Sequence, residues 1–369
     1  MLNYRTAGES HGKALVTIVE GLPARVPVPE SAVADMLSRR RRAGGRSRRM
    51  SMEDDSFEIL SGVRRGLTTG SPVAIIIRNR DNRSSLGPLH VPRPGHADLA
   101  GMLKYGTDDA RDVAERASAR ETAARCAAGA LAACLLAEMD MHVFGHVVAI
   151  GRVRQSRRRL TLEQALRLRS LSRFCTVRPE ADGAVAKAIA RAAARGDTLG
   201  GVFEVKAVGL PPGLGGCMTA SGRLDARLAA ALMAIPSVKG VEVGGGFALA
   251  ALPGSRVHDE IVLSDEGGVA RSTNRSGGIE GGMTNGEMLV VRAAVKPVPT
   301  LGKPLRSVDM RTMKPSRAPV ERADVCAAPA ASVVGEAAVA FELARAARER
   351  FGGDTLKQMQ AAMRRSGGP

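Results

Sequence analysis

A long alanine-rich run decides the fold of this protein: residues 119–138 read Ala-Arg-Glu-Thr-Ala-Ala-Arg-Cys-Ala-Ala-Gly-Ala-Leu-Ala-Ala-Cys-Leu-Leu-Ala-Glu. Apolar residues occupy nearly every position from Ala123 to Leu136, so a helix built from this run is hydrophobic on all sides. Such a helix is stable only when other elements cover it, and we expect sheet on most of its sides. Ser118 and Glu121 have the spacing of a capping box at its start.

The residues that precede this helix are rich in groups that bind anions. Residues 93–118 contain a histidine, one of the two tyrosines and several arginines and aspartates. The positive end of the helix dipole would face outward between Arg116 and Arg120, which is typical of an anion-binding site. An ordinary capped core helix with solvated arginines explains the same residues, so this segment alone leaves both interpretations open.

Length and composition limit the classes of protein. A chain of 369 residues predicts about two domains or one large layered unit. The net charge of +17 indicates a polyanionic partner or anionic ligands, and nucleic acid is the first candidate for such a partner. Five scattered cysteines without a C-x-x-C pair argue against a disulfide framework and against zinc. The N-terminus does not have the apolar run of a signal peptide and no stretch has membrane-spanning length, so we expect a soluble, cytoplasmic protein.

The order of strands and helices predicts an α+β fold. Strands are expected over 14–20, 57–63, 72–78, 142–153, 201–208 and 288–295, and helices from Pro29 and over 162–171, 184–195 and 331–351. The tripeptide Gly-Leu-Pro ends a strand at 21–23 and again at 209–211, which suggests an internal duplication. We therefore predict one domain over 1–353, with halves of approximately 1–140 and 141–353, and a C-terminal tail over 354–369.

Loops carry the reactive residue types. His11 lies in a glycine-bracketed turn and His96 follows Pro94-Gly95, although either could be an ordinary loop histidine. The arginine-rich run 39–49 is expected to be a loop, either a nucleic-acid arm or a solvated charged segment. Arg40, however, continues the apolar stripe of Val33 and should be buried. The glycines of 276–286 match neither the phosphate-binding loop nor the dinucleotide fingerprint.

Eight short motifs follow one another along the chain in a fixed order. They are Gly8-Glu9-Ser10-His11-Gly12, Arg39-Arg40-Arg41 with Arg46 and Arg49, Arg93-Pro94-Gly95-His96-Ala97-Asp98, the segment 115–122, Arg271-Ser272-Thr273-Asn274, the segment 281–286, Lys296-Pro297, and Arg322-Ala323-Asp324. In sequence and in order they closely resemble the motifs of the chorismate synthase family, and the resemblance extends from Tyr4 to about Gly353.

This resemblance implies a carbon–oxygen lyase. Members of the family convert 5-enolpyruvylshikimate 3-phosphate to chorismate and phosphate by an anti-1,4-elimination that requires reduced FMN but is redox-neutral overall. The implied fold is a β-α-β sandwich of two related halves with buried alanine-rich helices, assembled as a homotetramer. Some members reduce their own FMN with NADPH and others depend on an external reductant, and no motif in this sequence decides between them.

The matching positions imply roles for individual residues. His11 would protonate or hydrogen-bond the leaving phosphate, His96 would lie by the N1–O2 edge of the flavin, and Asp324 would relay a proton from flavin N5. The implied substrate-binding residues are Ser10, Arg40, Arg46, Arg49, Arg93, Ser118, Arg120 and Arg322. The implied cofactor-binding residues are Arg116, Ala117, Ser118, Pro236, Ser237, Gly281, Lys296, Pro297, Val298, Pro299, Thr300 and Arg322. Arginine forks suit this set of ligands, because phosphate and carboxylate groups accept two parallel hydrogen bonds.

Two other hypotheses, a nucleic-acid-binding protein and a different flavoprotein, account for parts of the same sequence. A nucleic-acid-binding protein that uses the 39–49 arm would be expected to place aromatic stacking residues beside its arginines, but the chain contains only two tyrosines and no tryptophan. A flavoprotein with another substrate would share the FMN loops without needing five clamping arginines. Formation of chorismate from the enolpyruvyl substrate with reduced FMN distinguishes the three.

Overall fold

The computed structural model describes residues 1–46, 53–82, 86–155, 160–264, 267–321 and 324–366. The first part of the chain builds one antiparallel sheet and the helix that lies on it. Its elements are β1 Asn3–Gly8, β2 Ala14–Glu20, α1 Glu30–Arg42, β3 Phe57–Ser61, β4 Val63–Arg64, β5 Leu67–Thr68, β6 Val73–Arg78, α2 Asp98–Tyr105, α3 Arg111–Ala117 and α4 Thr122–Ala137.

The second part of the chain builds a larger antiparallel sheet and a longer helix. Its elements are β7 His142–Ile150, β8 Val153–Arg154, α5 Leu162–Leu171, α6 Asp182–Ala194, β9 Gly201–Val208, α7 Leu224–Met233, β10 Val238–Val243, β11 Ile261–Leu263, β12 Val269–Arg271, β13 Ile279–Glu280, β14 Met283–Thr284, β15 Leu289–Val295, β16 Arg306–Asp309, β17 Lys314–Arg317, α8 Ala328–Phe351 and α9 Leu356–Arg365.

The two sheets have the same strand order. The first runs β1-β2-β6-β3, and the second runs β7-β9-β15-β10 with β8 added beside β7. All of these neighbours pair antiparallel. The two Gly-Leu-Pro segments follow β2 and β9, which occupy equivalent places in the two sheets. The structure therefore confirms the hypothesis of two related halves, whereas the exact domain limits remain a prediction.

Two helices form the middle of the sandwich. Helix α4 contacts the strands of the first sheet, α8 contacts the strands of the second, and the two helices pack against each other. The contact is close at Gly129, where a Cβ atom would lie 2.4 Å from the Cβ atom of Ala337. Leu131, Leu135 and Leu136 are fully buried, and each such side chain stabilises the fold by about 1.5–3 kcal/mol. The predicted buried, alanine-rich helix is thus confirmed.

The start of α4 differs from the predicted capping box. Ser118 accepts a hydrogen bond from the amide of Arg120 and begins a short 3-10 turn rather than the α-helix. The carboxylate of Glu121 does not reach back, because it accepts from Thr6 Oγ1 and from Arg125. Tertiary partners thus replaced the local interaction that the spacing suggests.

The arginine run also differs from its prediction. Residues 39–42 are not loop but the last turn of α1, and Arg40 is buried there as its position on the apolar stripe predicts. Strand β1 and helices α2 and α3 were not predicted at all. Helix α9, in the predicted tail, packs on the core through Leu356, Met359 and Met363. Within the described residues, no helix is both long and apolar enough to cross a membrane.

Candidate active site

Loops from both halves enclose a cavity of about 360 Å³, and the residues directly before α4 form part of its wall. Its charged lining consists of five arginines, one lysine and four carboxylates, and two histidines lie among them. The lining residues are Ser10, His11, Arg40, Arg46, Glu53, Arg93, Gly95, His96, Ala97, Arg111, Ala114, Glu115, Ala117, Ser118, Ala119, Arg120, Pro236, Ser237, Lys296, Val298, Pro299, Thr300, Glu321, Asp324 and Ala327.

The loop between β1 and β2 brings His11 to one wall of this cavity. His11 Nδ1 lies 2.9 Å and 3.0 Å from the two carboxylate oxygens of Glu115, and the His11 amide donates to Glu115 Oε2 at 2.8 Å. Next to it, the Ser118 hydroxyl donates to Ser10 Oγ at 3.0 Å. The histidine is therefore fixed by α3, an element more than a hundred residues away in the sequence.

His96 is fixed by a chain of charged groups. Its Nδ1 contacts the fully buried carboxylate of Asp98. Arg93 donates to the same carboxylate through Nε at 2.7 Å and Nη2 at 3.0 Å. Burial alone would raise the pKa of Asp98, but the hydrogen bonds from His96 and Arg93 hold it well below its usual range. Beyond Arg93, Glu321 accepts from Arg93 Nη1 at 2.8 Å and from Arg111 Nη2 at 2.6 Å.

Two buried arginines share one buried carboxylate. Asp55 accepts from Arg40 Nη2 at 3.0 Å and from Arg120 Nη1. Burial would raise the pKa of Asp55, but the charges of Arg40 and Arg120 lower it, so the carboxylate stays ionised. Arg120 Nε also donates to Asn79 Oδ1 at 2.8 Å, and Asn79 in turn donates to the carbonyl oxygen of Gly12 at 2.8 Å. This network ties the arginines to the His11 loop.

A further ion pair joins the arginine loop to the second half of the chain. Arg46 Nη1 lies 3.3 Å from Asp324 Oδ2. Burial lowers the pKa of Arg46, and the neighbouring charge of Asp324 opposes that shift. Because Arg46 is deeply buried beside Arg40 and Arg120, an anion that enters the cavity would relieve the repulsion among them.

The opposite wall is less polar and comes from the second half. Val298 and Pro299 present apolar surface there, and Lys296 donates from Nζ to the carbonyl oxygen of Gly95. Ser237 has a φ of 71°, a left-handed conformation that is uncommon for a residue other than glycine. Its carbonyl oxygen accepts from the Lys296 amide at 2.8 Å, which fixes the two segments together.

The cavity brings together most of the residues that sequence analysis proposed for the site. Three do not line it: Arg116 donates to the carbonyl oxygens of Thr6 and Gly8 at 3.0 Å and 3.2 Å, and Gly281 and Pro297 are exposed elsewhere on the surface. Arg116 therefore lies outside the cavity that Arg120 lines, and its predicted part in an anion site remains a prediction. Arg49 and Arg322 lie outside the described residues. The role of each lining residue remains a prediction.

Sequence analysis missed several charged residues of the cavity, namely Glu53, Arg111, Glu115 and Glu321. Of these, Glu115 lies within a recognised motif and Glu321 directly precedes another. A useful signal was available: a histidine in a buried cationic cavity needs an acceptor, and the neighbouring motifs contain carboxylates. Nothing in the sequence, however, shows which carboxylate folds against which histidine.

The fold and the cavity together are typical of an enzyme that acts on a small molecule. A sequence model of the family described as chorismate synthase matches residues 2–347. A chorismate synthase of Moorella thermoacetica is 54% identical, over 98% of this chain and 97% of its own length. A chorismate synthase of Geobacter sulfurreducens is 48% identical, over 98% and 97% respectively. A crystal structure of a chorismate synthase superimposes with a TM-score of 0.81 at 39% identity and covers 99% of this chain and 97% of that one. The chain belongs to the chorismate synthase family and is a lyase.

Proposed function

We propose that this enzyme converts 5-enolpyruvylshikimate 3-phosphate to chorismate and phosphate by anti-1,4-elimination. The observation that carries this proposal is the cavity of about 360 Å³, in which two carboxylate-bound histidines face buried arginines. The substrate carries a phosphate and two carboxylates, so it needs fixed cations in a small enclosed space. Family membership supplies the reaction.

The arginines are suited to bind and orient the substrate. Arg40, Arg46 and Arg120 converge on the cavity from different segments, and their buried guanidinium groups cost little further ordering when an anion binds. Arg93 lines the same cavity, and its Nη2 atom lies 3.2 Å from His96 Nδ1. We infer that these groups hold the phosphate and the carboxylates in the geometry for elimination.

Two residues are suited to move protons. His11 lines the cavity beside Ser10 and Ser118, and we infer that it donates a proton or a hydrogen bond to the departing phosphate. Asp324 is held near Arg46, and we infer that its carboxylate accepts the proton that the substrate loses in the elimination. His96 would hold its position at the edge of the cofactor through its contact with Asp98.

The cavity fits a phosphate-bearing planar cofactor such as reduced FMN. The buried Nε atoms of Arg40 and Arg46 have no hydrogen-bond acceptor within the described part of the chain, and Val298 and Pro299 give an apolar surface for a ring. The residues that would hold the cofactor are Ala117, Ser118, Pro236, Ser237, Lys296, Val298, Pro299 and Thr300. The chemistry supplied by the bound cofactor is reversible electron donation, since the elimination is redox-neutral overall.

An anaerobic assay tests this proposal. The purified protein is incubated with the enolpyruvyl substrate and photoreduced FMN, and chorismate and phosphate are measured. Equimolar formation of both products is expected, and neither product should form with oxidised FMN alone. A second arm replaces photoreduction with NADPH and oxidised FMN. Product in that arm would mean that the enzyme reduces its own FMN with NADPH. No product in that arm would mean that it depends on an external reductant.

We also propose that the enzyme is a cytoplasmic homotetramer, as the resemblance implies. The hairpin of β11 and β12 supports an assembly, because Ile261, Leu263 and Val269 are each more than 70% exposed. Light scattering on the purified protein gives the mass directly, and a monomer of 38.6 kDa would refute the assembly.

The alternative of a nucleic-acid arm finds less support. Arg39 donates to Glu336, Arg40 to Asp55 and Arg41 to the carbonyl oxygen of Glu53. These guanidinium groups point into the protein, whereas an arm for duplex phosphates needs them at the surface.

A further inference from the structure

We propose that Glu115 is a positioning residue: it keeps the hydrogen of neutral His11 on Nδ1, so that Nε2 faces the substrate and is the nitrogen that takes up the proton before His11 donates it to the departing phosphate. The catalytic part of this inference rests on the proposed function. Its structural part concerns only the geometry of two side chains and can be measured without turnover.

Glu115 holds His11 both by the imidazole, through Nδ1, and by the backbone, through the amide. Both carboxylate oxygens lie within 3.0 Å of His11 Nδ1, and one of them also accepts from the His11 amide at 2.8 Å. The backbone adds a further link, because the Ser10 amide donates to the carbonyl oxygen of Glu115 at 3.0 Å. Ring rotation would break the contact of Nδ1 with the carboxylate, while the two backbone bonds keep that carboxylate beside the ring, so the orientation of His11 depends on Glu115.

The charge of Glu115 fixes the tautomer. Burial alone would raise the pKa of Glu115, but hydrogen bonds from the side chain and amide of His11 lower it. An ionised carboxylate can only accept hydrogen bonds, so Nδ1 must carry the hydrogen. Nε2 lies 3.9 Å from an oxygen of Asp81, beyond hydrogen-bond distance, and within the described part of the chain it has no hydrogen-bond partner, so we infer that it faces the substrate.

The same arrangement occurs at the other histidine of the cavity. His96 also directs Nδ1 to a carboxylate, that of Asp98. In both histidines Nδ1 is the nitrogen that contacts a carboxylate, and Nδ1 of His96 also lies 3.2 Å from Arg93 Nη2. An acceptor on one imidazole nitrogen selects the tautomer and therefore the reactivity of the other.

A double-mutant cycle tests the catalytic part. Glu115→Gln keeps the shape of the side chain but can donate to Nδ1, so it no longer selects one tautomer. We expect Glu115→Gln to lower kcat about 10²-fold with little change in KM, and to change kcat less than about 2-fold in a His11→Ala background. A positioning role predicts this non-additivity, because Glu115 acts only through His11. Equal losses in both backgrounds, or no loss in the parent background, would overturn the proposal.

A matched control is available on the same helix. Asp112→Asn removes one negative charge from α3 at an exposed carboxylate that accepts from Thr107 Oγ1. It should leave kcat and KM within about 2-fold of the parent. Melting temperatures of all variants, measured alongside, separate a folding defect from a catalytic one.

The tautomer itself can be measured without substrate. Nitrogen NMR of histidine-labelled protein should show hydrogen on Nδ1 of His11 in the parent, and His11→Ala identifies that signal among the six histidines. Glu115→Gln should shift the signal toward the other tautomer, and an unchanged signal would refute the inference. If the parent forms no chorismate, the proposed function fails, but this measurement still decides the role of Glu115.

Discussion

Replacing Asp55 by asparagine should destabilise the protein more than any other single charge removal in the site. Asp55 is 3% exposed and accepts from Arg40, which is 1% exposed, and from Arg120, which is 5% exposed. Asparagine has the same shape but no charge, so in the variant Arg40 loses the carboxylate that it contacts, and Arg120 is left with the buried carboxylate of Glu53, which lies 3.4 Å from Arg120 Nη2. Of their other side-chain partners, Thr122 on Arg40 and Asn79 on Arg120 are neutral, so the uncompensated charge in the variant is mainly that of Arg40.

The expected loss follows from the burial of this cluster. Breaking a buried ion pair by removing one partner costs about 3–5 kcal/mol, because the remaining charge is left uncompensated in a poorly hydrated site. The adjacent carboxylate provides the comparison: Asp54 pairs with Arg80, whose side chain is 66% exposed. Exposed pairs contribute about 0.2–1 kcal/mol. Asp54→Asn should therefore cost several times less than Asp55→Asn.

Urea denaturation of the parent and both variants measures this difference at neutral pH and at pH 3. The fold lowers the pKa of Asp55 below its ordinary value of 3.8, so its stabilising contribution is present above that value and is lost as the pH falls toward the folded-state pKa. The gap between the parent and Asp55→Asn should accordingly narrow in acid. A loss below about 1 kcal/mol at neutral pH, or a gap that widens in acid, would refute this account of the cluster.

Three further predictions follow from the site and the core. His11→Ala and His96→Ala should each lower kcat about 10²–10⁴-fold with saturating reduced FMN, and parent-like rates would remove that histidine from the mechanism. Arg46→Lys should not restore the activity lost in Arg46→Ala, since an ammonium group cannot form the two parallel bonds of a guanidinium, and equal activity of the lysine variant and the parent would contradict a clamping role. Gly129→Ala should destabilise the fold by about 1–3 kcal/mol in urea denaturation, because its Cβ would lie 2.4 Å from that of Ala337, and an unchanged midpoint would mean that the helices can separate freely.

A last prediction concerns the two ligands together. Substrate should tighten FMN binding by about 5–150-fold, since anions in one cationic cavity lower the ordering cost for each other, and added salt should weaken this coupling. Titration of FMN with and without substrate at two salt concentrations measures it. Identical affinities in all four conditions would indicate preformed, independent sites.

The sequence by itself determined the fold class and, through its motifs, the protein family that the chain resembles. The helix of residues 119–138 had to be buried because its apolar residues surround the axis, and α4 is indeed covered by sheet and by α8. Strands β2 and β9 also have the predicted limits, since continuous apolar runs ended by Gly-Leu-Pro leave little choice of boundary. Arg40 was predicted to be buried from its place on a helical stripe. These features depend on residues near one another in the chain.

The tertiary structure alone decided which charged groups meet. Nothing local indicates that Glu115 binds His11, that Asp55 joins Arg40 to Arg120, or that Arg116 turns toward β1 instead of the cavity. Strand β1 was missed because its polar residues do not form an apolar run, and it is recognisable only from its pairing with β2. Ion pairs between distant segments depend on how the two halves pack. The sequence therefore identifies the reactive residues, while the fold decides the hydrogen-bond partner of each one.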